Sequence, residues 1–414
     1  MKRSMVIAMV ALLVVMLPAL ALAGGDVRKV EKTFELKKGG NLNIEIKVGG
    51  DIIIEGWGRD EVSVKAKITG RDRDDVELDF DKKKSGLEIN ADIDERRDTR
   101  ANCDLYIMVP EKFDIEFETM GGDVSIKGVD GEITGQTMGG DVDFEGLRGH
   151  LAVTTMGGDV TVLDSEVDGK VKTMGGDVDI TNVKGDLKGS TMGGDVTYEN
   201  VVRAGGYDDK EIVISSMGGD LSLDYAGKNI RAKTYGGDID VSKAEKVNVM
   251  TMGGDISVEE APTGAKVKTM GGDIEIGMAG DYVDAETMGG DITVDDIDGW
   301  IKAVTMGGDV EVTMTGDPGK GKRDVEIKSM GGDIDLTVPK GLSMKFDIEI
   351  QWTKNHDHKP KIVSDLGIDI EETKEWEKKH GSKRKYIYGT GKAGSGEHLI
   401  KIRTINGDVH INEE

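Results

Sequence analysis

The sequence predicts an all-β fold, a right-handed parallel β-helix (solenoid) with coils of about 18 residues. Three observations lead there. Thr-Met-Gly-Gly-Asp or a close variant recurs along the chain, mostly 18 residues apart. The apolar residues between these corners alternate with the period of two that strands show. Glycine, at 60 of 414 residues, is too abundant for helix.

The first 23 residues are set apart from the fold. Lys2 and Arg3 open them, an apolar run from Met5 to Leu20 follows, and Ala21-Leu22-Ala23 offers the small residues of a cleavage site. This is the pattern of a secretory signal peptide cut after Ala23. Gly24 rather than Cys follows, so a lipid anchor is not indicated. No later segment reaches the roughly 20 apolar residues of a membrane-spanning helix. The mature chain is therefore expected outside the cytoplasm: periplasmic, at the cell surface or extracellular.

The net charge is −25, or about −27 once Lys2 and Arg3 are removed. That argues against nucleic acid, whose phosphates demand a basic surface, and against anionic lipid. Cys103 is the single cysteine. It stands in Ala101-Asn102-Cys103-Asp104-Leu105-Tyr106-Ile107, where alternate residues are apolar, and is read as a buried strand thiol.

The corner aspartates are Asp123, Asp141, Asp159, Asp177, Asp195, Asp220, Asp238, Asp255, Asp273, Asp291, Asp309 and Asp333. Numbered from Thr173, one unit places Val178, Ile180, Val183 and Leu187 at positions 6, 8, 11 and 15, and other units add an apolar residue at 17. Each unit reads as strand, turn, short strand, turn, strand and Gly-Gly corner. One unit cannot bury its own apolar edge, but identical neighbours stacked about 4.8 Å apart can. Roughly fifteen such coils would make a rod on the order of 70 Å long. Three steps depart from 18, and each change falls after position 11, while the corner keeps its length. One edge of the rod should thus carry the loops, Val202–Glu211 and Gly316–Asp324, and the other should be uniform.

Strand pairs ending in Gly-Asp-Val/Ile resemble the bacterial β-strand repeat family known as "putative adhesin", whose function is unknown. Asn41–Ile46 with Gly50-Asp51-Ile52 looks like the family's opening coil. Ile107-Met108-Val109-Pro110 before the array, and Gly389-Thr390-Gly391 leading to Ile405-Asn406-Gly407-Asp408-Val409, fit as well. The resemblance spans nearly all of 25–414 and implies a right-handed β-helix at the envelope or surface, with no established catalytic residues. The monotony of Met-Gly-Gly departs from it.

Two ladders are candidate sites. The twelve aspartates would repel by roughly 1 kcal/mol per neighbouring pair even at the dielectric of water. Each either bonds the backbone amides of its own glycine turn or, together with its neighbours, gathers cations such as Ca²⁺; one carboxylate per corner falls short of the six to eight oxygens Ca²⁺ takes. The second ladder is Met120, Met138, Met156, Met174, Met192, Met217, Tyr235, Met252, Met270, Met288, Met306 and Met330. Counting by twos points Thr inward and Met outward. An outward row would be a contact stripe or a soft thioether row for metal, whereas Met packed into the corner would fill gaps.

A polysaccharide-acting enzyme is the third functional class, because β-helices can carry such sites. The array repeats one set of residues rather than offering a singular constellation, and aromatics are only 4%, poor for stacking on sugars. His356-Asp357-His358 could bind a metal but lies in a polar, Lys-rich stretch and reads as a solvated loop. The expected organisation is a signal peptide at 1–23, irregular capping coils at 24–118, the regular array at 119–339, and C-terminal coils with a polar insertion at 340–414, within which Ile368–Lys385 is a short helix or mobile loop. The leading reading is a non-enzymatic, exported structural or adhesive solenoid without cofactor, acting on an unidentified envelope partner or on itself. A Ca²⁺-binding envelope scaffold is the alternative.

Overall fold

The structure, a computed structural model, describes residues 27–93, 100–202, 211–226, 229–379 and 382–414. The signal segment and most of the Val202–Glu211 loop fall outside them. Each repeat contributes one strand to each of two long sheets. Strands that follow the corner, such as Val142–Glu145, Val160–Leu163 and Val178–Thr181, pair in parallel in the first sheet. Strands that precede it, such as Arg148–Thr155 and Glu166–Lys172, pair in parallel in the second. Like positions face like positions: Val142 pairs with Val160, and Val160 with Val178. The expected solenoid is present, and the strand pairings run as two open stacks rather than a closed barrel.

Alternation explains which residues enter the core. Positions 6 and 8 of the first sheet and 15 and 17 of the second all point between the sheets, as do Ile274, Ile276, Val283 and Ala285 in one coil, each at most 1% exposed. Where a large side chain intrudes, a glycine makes room. The Phe117 ring occupies the space a side chain at Gly135 would need. Tyr198 reaches across the core from the first sheet to the second, where its hydroxyl accepts from Gly189 N (2.6 Å) and donates to Leu187 O (3.0 Å). Burial pushes the phenol's pKa well up.

The ends differ from a simple succession of coils. The strands Gly40–Ile46 and Ile52–Trp57 form the earliest coil in the chain, after the strand Val27–Glu35, yet they lie between the coil that follows them and the first Thr-Met-Gly-Gly-Asp coil. Gly40–Ile46 pairs with Gly86–Asp92 on one side and Phe113–Thr119 on the other. The other end mirrors this. His398–Ile405, later in sequence, lies between Val325–Lys328 and Met344–Thr353. Antiparallel strands then cover the stacks: Val27–Glu35 and Glu61–Gly70 at one end, Ser382–Ala393 with Ile368–Glu372 at the other. Such covers keep open strand edges from recruiting other chains.

Three local expectations meet the structure here. Ile368–Lys385 holds no helix in its described part and is mostly strand: Ile368–Glu372 and Glu377–Lys379, joined by an irregular link at 373–376, are strands against Ser382–Ala393. The sheet edge supplies the backbone partners that a Glu- and Lys-rich segment cannot obtain from a core of its own. Cys103 is fully buried in Ala101–Pro110, and desolvation raises its pKa to about 12, so the thiol is inert. His356 and His358 lie in an exposed loop, with His358 Nε2 3.4 Å from Asp408 Oδ1.

Candidate functional site

Thr opens each corner and faces inward; Thr155, Thr173, Thr269 and Thr287 are all buried. From Thr173 onward the hydroxyl donates to the carbonyl of the second glycine of the preceding coil, as in Thr173 to Gly158, Thr234 to Gly219 and Thr305 to Gly290, each at 2.8 Å. The same oxygen accepts from the second glycine of its own corner: Gly176 N to Thr173 at 3.1 Å and Gly308 N to Thr305 at 3.2 Å. One side chain therefore closes its own turn and ties it to its neighbour. Ser216 and Ser329 do the same.

The two glycines are not equivalent. A β-carbon on Gly194, Gly219 or Gly308 would collide with the second-glycine carbonyl of the coil below, so close approach of backbones requires glycine there. At the first glycine there is more space; a β-carbon on Gly193 would lie 3.5 Å from its nearest neighbours.

The aspartates bond, though not to their own turn as expected. Each Oδ1 accepts from the backbone N–H of the aspartate in the next coil, at 2.7–3.0 Å from Asp51 through Asp333 to Asp408. The row continues beyond the twelve corners. Asp104 receives Asp51 N at 3.4 Å, and Asp408 receives Lys361 N at 3.0 Å. The geometry explains the choice: one coil of parallel spacing brings the neighbour's amide to the carboxylate, whereas Thr already holds the amides of the turn. Asp104 was missed in the sequence because no Gly-Gly precedes it. Among the described residues, no group of three or more His, Cys, Asp or Glu side chains is placed to hold a metal ion.

Met stands apart from its neighbours. Met120, Met138, Met156, Met174, Met192, Met217, Met252, Met270, Met288, Met306 and Met330 are 39–57% exposed, and Tyr235 45%. The expectation that Met packs into the corner is thus corrected. Thr has taken the inward place, and strand alternation sends the next side chain out. The row is continuous along the array. On one side lies the exposed aspartate ladder, backed on the first sheet by Asp143, Asp179, Asp240, Glu275 and Glu311. On the other lies the outer face of the second sheet, with Lys170, Lys172, Lys188, Lys233, Lys266 and Lys268 exposed.

Two carboxyls beside the ladder register this crowding. Asp179 has its pKa raised by burial, and secondarily by the charges of Asp177, Asp159 and Asp195. Asp240 is raised by burial and then by Asp238 and Asp220.

The opposite edge carries the expected variation. Position 10 takes left-handed backbone at Gly128, Gly146, Asp164, Asn182 and Asn200 in the first coils. Asn200 donates to Asn182 (2.8 Å) and Asn182 to Asp164 (2.9 Å). Later coils instead extend the strand to six residues, as in Ile256–Ala261. The Gly316–Asp324 loop folds back on the stack through the buried Arg323, whose guanidinium donates to Asp298, Thr315 O and Lys320 O. Beside it, Tyr282 and Trp300 stack at 5.4 Å, with Lys322 over the Trp300 ring.

A two-sheet parallel solenoid with one uniform, hydrogen-bonded corner edge defines the class. The chain belongs to the Toastrack DUF4097 family, which matches it over residues 40–229 and 207–412. No curated protein matches the sequence. Solved structures that are similar include a "putative adhesin" from Bacteroides fragilis, 20% identical, covering 60% of this chain and 97% of its own, with a TM-score of 0.28. A "putative cell adhesion protein" from Clostridium sporogenes is 10% identical over 94% of this chain and all of its own, with a TM-score of 0.17. A "putative lipid binding protein" from Parabacteroides distasonis is 12% identical over 74% and 96%, with a TM-score of 0.21.

Proposed function

We propose that the protein is a non-enzymatic, exported solenoid of the cell envelope or surface, structural or adhesive in role, and that its working surface is the methionine stripe. One observation carries this reading. Inward Thr, second Gly and Asp each have a hydrogen bond or a packing constraint that fixes them, whereas Met forms no side-chain hydrogen bond among the described residues, leaves about half of its side chain in solvent, and recurs all the same. A long apolar row held open to solvent is costly to keep unless something covers it. The first glycine, which the packing leaves free in the early coils such as at Gly139 and Gly193 and constrains more in later ones such as Gly289, keeps the backbone beside each Met bare.

The test has two arms. In cells making the full chain, envelope fractionation followed by N-terminal sequencing should find a product that begins at Gly24. A variant with Met156, Met174, Met192 and Met217 changed to Gln should fold and be exported, yet lose attachment to its surface or partner. Cytoplasmic retention with residues 1–23 intact would overturn the export reading, and unchanged attachment would overturn the stripe. The Ca²⁺ scaffold is less favoured, since one oxygen of each ladder aspartate is committed to a backbone amide.

A further inference from the structure

We propose that the partner covering the methionine stripe is a second copy of this chain, packed side by side with both solenoids running in the same direction. The proposal rests on the contact-stripe reading above and adds the identity and orientation of the partner. It follows from what borders the stripe. Looking out from the corner, the aspartate ladder runs along one flank for the whole array, while the other flank is basic on balance, with Lys170, Lys172, Lys188, Arg231, Lys233, Lys266 and Lys268 interrupted by Asp284 and Glu286. Lys170, Lys172 and Lys188 form no ion pair with any described residue.

Consider two copies facing each other across their stripes. A two-fold axis parallel to the solenoid axis sets the acidic flank of each copy against the basic flank of the other. A two-fold axis perpendicular to it, which makes the solenoids antiparallel, sets acid against acid and lysine against lysine. Like charges facing across an interface are costly, so only the parallel arrangement is complementary on both flanks. It is also isologous and closed, which stops at a dimer instead of growing into fibres.

Size points the same way. Twelve rungs at about 4.8 Å make a stripe on the order of 50 Å long, and the corner spans roughly the 10 Å between two sheets. The bare stripe therefore offers roughly 500 Å² per copy, below the approximately 800 Å² per partner of a standard interface. The flanking charged rows must take part, and they can do so only in the complementary orientation. Side chains stacked on one rod meet an equally spaced row on the other rung for rung, and flexible Met tolerates the fit.

Sedimentation of the mature chain over a range of concentrations should reveal a monomer–dimer equilibrium. The Met156→Gln, Met174→Gln, Met192→Gln variant should weaken it by about tenfold or more, as loss of several adjacent apolar contacts does. Changing Lys170, Lys172 and Lys188 to Glu should weaken it too, without touching the stripe. Orientation is read by cysteine pairing, which the buried, unreactive Cys103 does not disturb. Met138→Cys should form a disulfide with a second Met138→Cys chain, and Met306→Cys with another Met306→Cys chain. A mixture of the two should give no mixed disulfide. A chain that stays monomeric up to about 1 mM overturns the proposal, while the stripe's role in attachment is judged separately by the cell experiment. A mixed Met138→Cys/Met306→Cys disulfide in place of the like pairs overturns the parallel arrangement.

Discussion

The two edges of the solenoid solve the same problem by different means. Both must turn the chain between sheets and stack those turns a few ångströms apart. The opposite edge does so with Gly, Asp, Asn, extended strand or an inserted loop tied down by Arg323. The corner edge uses Thr-Met-Gly-Gly-Asp at nine of twelve corners, and departs from it only by Ser216, Tyr235 and Ser329. Stacking therefore does not by itself require uniformity, since varied turns stack as well. Uniformity at Thr, second Gly and Asp is explained by bonds that pass from coil to coil, so a deviant residue would break two neighbours at once. Uniformity at Met has no such cause, and that contrast directs attention to the surface.

The sharpest way to break the comparison is at the glycines. Gly194→Ala forces a β-carbon into the Gly176 carbonyl and should destabilise by about 3 kcal/mol or more, whereas Gly193→Ala should stay within about 1 kcal/mol. Denaturant unfolding of the pair measures both; equal losses would mean the corner is not held by close backbone approach. Next comes Thr269→Val, which removes the bonds to Gly254 O and from Gly272 N and should cost about 1–2 kcal/mol. A smaller effect is expected at the ladder. Asp273→Ala should cost about 1 kcal/mol, while Asp273→Asn, which keeps an acceptor for Asp291 N, should be nearly neutral. If Asn proved as damaging as Ala in the absence of added metal, charge and not the hydrogen bond would be the ladder's contribution.

The smallest effect is a pH dependence. The folded-state pKa of Asp179 is raised, so the folded chain holds that proton more tightly than the unfolded one. Stability from this group then falls as pH rises from the unfolded value, 3.8, through the raised folded value. Asp179→Asn should be more stable than the parent above that window, with the gap closing as pH drops toward 3.8. Melting temperatures across the acid range would show it; a gap independent of pH would point to packing instead.

Much of this architecture was legible in the sequence because period, alternation and glycine corners are local signals. The inward Thr and outward Met follow from counting by twos, and the length changes after position 11 located the variable edge. The order of coils at the ends was not legible. Nothing in Gly40–Ile46 reveals that Gly86–Asp92 will stack on its outer side, because parallel pairing reads shape and hydrogen bonds that both neighbours offer alike. The aspartate partner was misread for a related reason: an acceptor reaches the next coil only once the stack exists. The segregation of acid and lysine onto opposite flanks was present at fixed unit positions and could have been found by summing charge per position.

The interleaved ends also set an order in time. His398–Ile405 takes its place between two strands that a ribosome or export channel delivers earlier, so Val325–Lys328 and Met344–Thr353 must wait, unpaired on facing edges, until it arrives. Stacking of the array can keep pace with synthesis, but closure of the far end waits for its last strands. A chain interrupted a few dozen residues short would present two open parallel edges and a gap one strand wide. The fold thereby distinguishes a stack with His398–Ile405 seated from one without it by two exposed parallel edges.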